Sequence, residues 1–312
     1  MPESTDPSPQ HGHVLALQPA RLRLDSYPLR EEHALRYSDL DGGRVGRIGL
    51  AHIFESLRSS VFERVIQDIP TGQPPWQALL RNVTLEFLAP GDDRAAVQVG
   101  GAVSAVGRSS QRTAFAAFQH GQCLALGEAT NVTIGVDKRP APIPPAARER
   151  LMDELLVLPG DAPSAADPPA LASLADYAFR VELPTRFADT DAVGHLNNVA
   201  ISRYHDNALM AFQRAVEGRH SGPGEHGHWR LTRHVVAMSA ENFHHLPMAM
   251  GLNVIQVGEH HFSLLQALFQ NGQCSGTAQC EVACEDADGA LIALPAELRQ
   301  RLQRWQSDPD RP

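Results

Sequence analysis

Residues 186 to 198, RFADTDAVGHLNN, decide how this chain reads. Asp189, Asp191, His195, Asn197 and Asn198 fall within ten residues, between an apparent strand and a strongly amphipathic stretch that begins at Val199. A strand-to-helix junction of this composition is a natural place for chemistry. Gly194 lets backbone approach a ligand, and the N–H groups opening the helix lack partners within it. Asp and Asn at such a junction also serve as plain caps. We therefore expect turn bonding for Asp189 and functional use for Asp191 with His195, while Asn197 and Asn198 stay open between the two roles.

Working outward, the chain repeats itself. Phe118-Gln119-His120-Gly121-Gln122-Cys123 returns as Phe269-Gln270-Asn271-Gly272-Gln273-Cys274, an offset of 151. Pro144, Arg148, Arg150 and Leu151 pair with Pro295, Arg299, Arg301 and Leu302 at the same offset. Arg36, Asp39 and Asp41 match Arg186, Asp189 and Asp191 at 150, and Trp76 matches Trp229 at 153. One order and nearly one offset along the whole length point to duplication.

Each unit reads as a short strand (about 32–38 and 179–188), a turn, a long helix and four strand-like runs. Leu50, Ile53, Phe54, Leu57, Val61, Phe62, Val65 and Ile66 recur at the spacing of one buried helix face, as do Ile201, Tyr204, Ala208, Phe212, Ala215 and Val216. The strand-like runs are 79–88, 95–106, 112–119 and 123–136, then 231–243, 252–257, 262–270 and 274–284. His120-Gly121 and Asn271-Gly272 suit tight hairpins, and a Pro-started polar helix closes each unit. The expected organisation is a loose tail over 1–20, a first unit over 21–157, a linker rich in Pro, Ala, Asp and Ser over 158–176, and a second unit over 177–312. The class is α+β, an antiparallel sheet wrapped around one long helix, twice over.

Composition narrows the function classes. A chain of 312 residues suits two domains of about 150 each, and 43% hydrophobic with 20% charged residues is ordinary for a globular protein. No apolar run is long enough to span a bilayer, and the opening MPESTDPSPQHGH lacks the regions of a signal peptide, so the expected compartment is the cytoplasm. A net charge of -9 argues against a general nucleic-acid binder. Cys123, Cys274, Cys280 and Cys284 form no metal knuckle and read as small buried thiols. The histidines between 226 and 261 lack metal-site spacing, and no GxSxG elbow or P-loop occurs. Lys138 is the single lysine, which we read as compositional bias. No cofactor and no metal is expected.

The pattern DxDxxGHxNN followed by an apolar helix resembles the hot-dog-fold thioesterases of the 4-hydroxybenzoyl-CoA thioesterase type and, more distantly, the plant acyl-carrier-protein thioesterases. The resemblance implies hydrolysis of an acyl-CoA or acyl-carrier-protein thioester. Asp191 would be base or nucleophile, and His195 would polarise the carbonyl or hold a water. Gly194, Asn197 and Asn198 would bind substrate. The plant enzymes carry Asn where this chain has Val193, so their Asn-dependent scheme is not transferred. The first unit keeps Asp39 and Asp41, but its turn is one residue shorter, and aligning Gly43 with Gly194 sets Arg44, Gly46 and Arg47 against His195, Asn197 and Asn198. One working site per chain is expected, its pocket completed by the first unit as a pseudo-dimer partner, with a homodimer of such pseudo-dimers open. Glu55 and Asp206 hold matching helix positions, with polar pairing and substrate contact both open. A non-catalytic acyl-CoA-binding protein is the alternative, and a hydratase is less favoured.

Overall fold

The computed structural model describes residues 13–41, 43–66, 77–155, 166–191, 194–218, 228–286 and 289–306. Its first half runs β1 (Leu29–His33), β2 (Leu40–Asp41), β3 (Arg44–Val45), α1 (Arg47–Ile66), β4 (Gln77–Phe87), β5 (Val97–Val106), β6 (Ser110–Gln119), β7 (Gln122–Ile134) and α2 (Pro145–Asp153). The second runs β8 (Phe179–Leu183), α3 (Asn198–Glu217), β9 (His228–Met238), β10 (Met248–Val257), β11 (His261–Gln270), β12 (Gln273–Glu285), β13 (Leu291–Ile292) and α4 (Ala296–Gln303). This is the expected α+β class, with the long helices packed on antiparallel sheet.

One sheet joins the halves in the order β1-β5-β6-β7-β4-β9-β12-β11-β10-β8, with β13 on β12. The order is the same read from either end, and its centre is the antiparallel pair β4–β9. There Val83 faces Val236, Thr84 faces Val235 and Leu85 faces His234. Thr84 and Val235 differ by the repeat offset of 151, so a pseudo-two-fold axis passes between them. Across the same seam α1 packs on α3.

The helices bury the faces their periodicity marks. Leu50, Ile53, Phe54, Leu57, Val61 and Val65 of α1 are buried, as are Ile201, Tyr204, Ala208, Phe212 and Val216 of α3; Ala215 is exposed. Each such large apolar side chain contributes roughly 1.5–3 kcal/mol. The repeated FQxGQC motif has a physical cause. His120 (φ 53°) with Gly121 (φ 76°), and Asn271 (φ 52°) with Gly272 (φ 79°), make two-residue hairpin turns with both central residues left-handed. The preceding glutamine is buried and ties down a distant loop. Gln119 accepts from the Asp92 N–H and donates to the Asp92 and Ala95 carbonyls. Gln270 treats Phe243 and Leu246 in the same way, again 151 residues on.

Three expectations are corrected. The opening strands end at His33 and Leu183, earlier than expected, because single 3-10 turns at Tyr37–Asp39 and Phe187–Asp189 take over the chain. Residues 13–20, expected in a loose tail, are packed. The backbone N–H groups of Val14, Leu15 and Ala16 donate to the buried Glu86 carboxylate, and Leu15 is buried. The linker is docked where it is described, with Asp167 against Arg81 and the Pro168 carbonyl accepting from Thr277. The rest of the tail, residues 158–165 of the linker and Trp76 lie outside the described residues. No helix among the described residues is long and apolar enough to cross a membrane.

Candidate functional site

Asp189 has the structural role expected of it. Its buried carboxylate accepts from the Tyr204 hydroxyl at 2.6 Å and from Arg203 at 3.2 Å, and its carbonyl accepts the Asn197 N–H at 2.9 Å. Burial and this carboxylate push the Tyr204 hydroxyl above the usual phenol range, so it stays a donor. The bond between turn and helix start is repeated in the first unit, where the Asp39 carbonyl accepts the Gly46 N–H at 2.8 Å.

Asp191, Gly194 and His195 form one tight turn. The Asp191 N–H donates to the His195 carbonyl at 2.8 Å, and Asp191 Oδ1 accepts the His195 N–H at 2.9 Å. Gly194 has φ 89°, a conformation that favours glycine. The next residue, Leu196, donates its N–H to the Asn242 carbonyl at 2.7 Å, which clamps the turn onto the loop after β9. This brings Glu241 Oε2 to 3.5 Å from His195 Nε2 and sets the Phe243 ring edge-on to the imidazole, with centroids 5.2 Å apart. From the first unit, Lys138 Nζ lies 3.6 Å from the same Glu241 oxygen. Glu241 and Lys138 escaped the sequence reading. Glu241 reaches His195, and Lys138 reaches Glu241, from loops far off in the chain, and no periodicity marks either; the singularity of Lys138 was the only signal.

Asn197 is the N-cap of α3. Its side chain accepts the Ala200 N–H at 2.7 Å. Asn198 faces the other unit, donating to Glu55 of α1 at 3.2 Å. Asn198 and Glu55 line a cavity of about 580 Å³, open mouth included, between α1, α3 and the strands β4, β6, β7 and β9. Its walls are Phe54, Leu80, Val83, Leu85, Phe115 and Val236, with Arg58 and Ser202 beside Glu55 and Asn198. Of the residues expected in the site, Asn198 alone lines this cavity. Asp191, Gly194 and His195 sit just upstream at the same helix start.

The first unit's helix start is built differently. Arg47, at the place of Asn198, pairs with Asp206 of α3, and Asp206 stands where Glu55 does. Arg44 pairs with Glu285 at 2.7 Å. The thiols hold no obvious chemistry, since burial pushes Cys123 and Cys284 up to about 12. Among the described residues no group of three or more His, Cys, Asp or Glu is placed to hold a metal ion.

No family model and no curated protein matches this chain. Among solved structures it is similar to a putative oleoyl thioesterase from Lactobacillus plantarum, with TM-score 0.65 and 15% identity over 83% of this chain and 96% of that one. The 12:0-ACP thioesterase from Umbellularia californica gives 0.64 and 13%, over 82% and 97%. An acyl-ACP thioesterase from Bacteroides thetaiotaomicron gives 0.59 and 16%, over 81% and 97%. At such identities the likeness shows the fold, a double hot-dog that takes in most of the chain.

Proposed function

We propose that this chain hydrolyses an acyl thioester, carried on coenzyme A or an acyl-carrier protein, to free acid and thiol. The observation that carries the proposal is the placement of the Asp191–His195 turn at the start of α3, whose first residue, the half-buried Asn198, lines a largely apolar cavity walled by both units. The acyl chain lies in that cavity and the thioester carbonyl at the helix start. First-turn N–H groups of Asn198 and Val199 face the developing oxyanion. Asp191 takes a proton from the attacking water, or attacks the carbonyl carbon itself. His195, oriented by Glu241, polarises the carbonyl or returns a proton to the departing thiolate. The narrower likeness to the 4-hydroxybenzoyl-CoA type rests on the motif. With units at 21–157 and 177–312, the first unit contributes Lys138 and one wall of the slot.

A second carboxylate competes for the role of base, because Glu55 lines the cavity and Asp191 does not. The test is a panel of acyl-CoA and acyl-carrier-protein thioesters of different length and branching, with free thiol as the readout, on the native chain, Asp191→Asn and Glu55→Gln. Thiol release that Asp191→Asn reduces more than Glu55→Gln supports the assignment. The reverse order moves the base to Glu55. Saturable binding with no thiol release from any thioester leaves a non-catalytic acyl-CoA-binding protein in place of an enzyme.

A further inference from the structure

The pseudo-two-fold axis turns the acyl cavity into a second one on the opposite side of the seam. At the offset of 151, Phe54, Val83, Phe115 and Ala129 of the first cavity correspond to His205, His234, Gln266 and Cys280 of the second, which has about 350 Å³ with its mouth included. The two share Ala51, Leu85 and Ser202 as a common wall. Duplication supplied two slots at equivalent places, and this sequence has set two histidines and a glutamine in the second where the first carries Phe54, Val83 and Phe115.

The polar slot is short of a hydrogen-bond donor. Gln266 Nε2 donates to the His205 carbonyl at 3.3 Å, which turns Gln266 Oε1 toward His205 Nδ1 at 2.7 Å. An oxygen there accepts, so Nδ1 carries the proton and Nε2 is a bare acceptor. His205 and His234 are both buried, their rings stand 5.3 Å apart, and the Nε2 atom of each has no partner in the protein. Burial holds both imidazoles below the usual histidine range, hence neutral.

At the Arg47–Asp206 pair the slot opens into a wider cleft of about 1100 Å³, mouth included. There Arg44 and Arg230 share a single carboxylate, Glu285, at 2.7 and 3.6 Å; Asp41, exposed at the rim, is the other acid. The wall also holds Trp229, whose indole N–H is buried without a partner. The cleft lies at the start of α1, where Gly46 has no side chain to cap the helix as Asn197 caps α3. Such a helix start favours an anion.

We propose that this side of the seam is a second, non-catalytic ligand site for an organic anion. Its carboxylate or phosphate head lies between Arg44 and Arg230, and a hydroxyl or amide N–H on the adjoining chain donates to His205 Nε2. The site stands or falls independently of thioester hydrolysis, because it is read by binding.

Two sources carry this chemistry, a hydroxylated carboxylic acid and a phosphorylated amide. The full chain is titrated with 3-hydroxyoctanoate, pantetheine 4′-phosphate and octanoate, following Trp229 fluorescence and the imidazole nitrogen resonances of His205. At least one donor-bearing probe should bind saturably, shift the His205 Nε2 resonance and bind at least tenfold more tightly than octanoate. Which of the two does so identifies the source. Exchanging the polar slot for its apolar twin, His205→Phe with His234→Val, should erase that preference. Arg230→Gln, which leaves the slot intact, should weaken the bound probe at least tenfold even where the double variant fails to fold. Absence of saturable binding by both donor-bearing probes, equal affinity for octanoate, or binding that Arg230→Gln leaves unchanged would overturn the proposal.

Discussion

Phe54 and His205 occupy the same place in the two units, as do Asn198 and Arg47, yet Phe54 and Asn198 line a slot walled by aliphatic and phenyl groups, while His205 and Arg47 line one with a histidine pair at its wall and an ion pair at its mouth. The backbone hardly distinguishes them. Both helix starts hang from the carbonyl of a buried aspartate, both turns contain a left-handed glycine, and both are clamped to a loop by the N–H of Val45 or Leu196. What differs is the side chains set on this frame. A duplicated fold preserves positions while each copy changes chemistry, so equivalence of place is no evidence for equivalence of role.

The comparison breaks most severely if the units are separated. Residues 178–312 alone would expose β9, which now pairs with β4 over Asn82–Glu86, together with the apolar face that α3 turns to the seam. An open strand edge beside an apolar patch favours association. Size-exclusion chromatography should show the fragment aggregated or self-associated, and mixing with residues 1–160 should restore solubility. A fragment that stayed monomeric, folded and fully active would dissolve the pseudo-dimer account.

Acid should act on the polar slot and spare the apolar one. Burial pushes the His205 imidazole down to about 4 in the folded chain, below the ordinary histidine value of about 6.5, so between these values the unfolded chain binds more protons. Stability is therefore full above pH 6.5 and falls as pH drops toward 4, by on the order of 3 kcal/mol from this group. His234 acts in the same direction. Denaturant melts at pH 7 and pH 4.5 should show the loss, and His205→Phe with His234→Val should shrink it. An unaltered acid loss in a folded double variant would place its origin elsewhere.

A smaller difference lies in the caps. Asn197→Ala should cost about 1 kcal/mol by removing the bond to the Ala200 N–H, seen as a fall of a few degrees in Tm. No change would mean that the packing of α3 makes its cap redundant.

The fold was legible because its signals are local and repeated. The left-handed hairpin pairs, the helix faces and the FQxGQC motif each answer to backbone or burial demands that recur at one offset. The site was legible only in part. RFADTDAVGHLNN locates the turn and the cap, but Glu241 meets His195, and Lys138 meets Glu241, through loops that no periodicity links. The cavities exist only because β4 pairs with β9, so their walls come from both units at once. Residues 13–20 misled in the other direction, since Pro, Gln and Ala in that stretch gave no hint that its backbone donors are held by Glu86.

The central claim is that one of two related turns works. Asp191→Asn and Asp41→Asn should be assayed side by side for thiol release from a single good thioester substrate. Asp191→Asn should lower turnover by about 100-fold or more while the fold is kept, and Asp41→Asn should leave it within about twofold, because its turn lacks the His and Asn partners. Equal losses in the two variants, or an unchanged rate in Asp191→Asn, would contradict it.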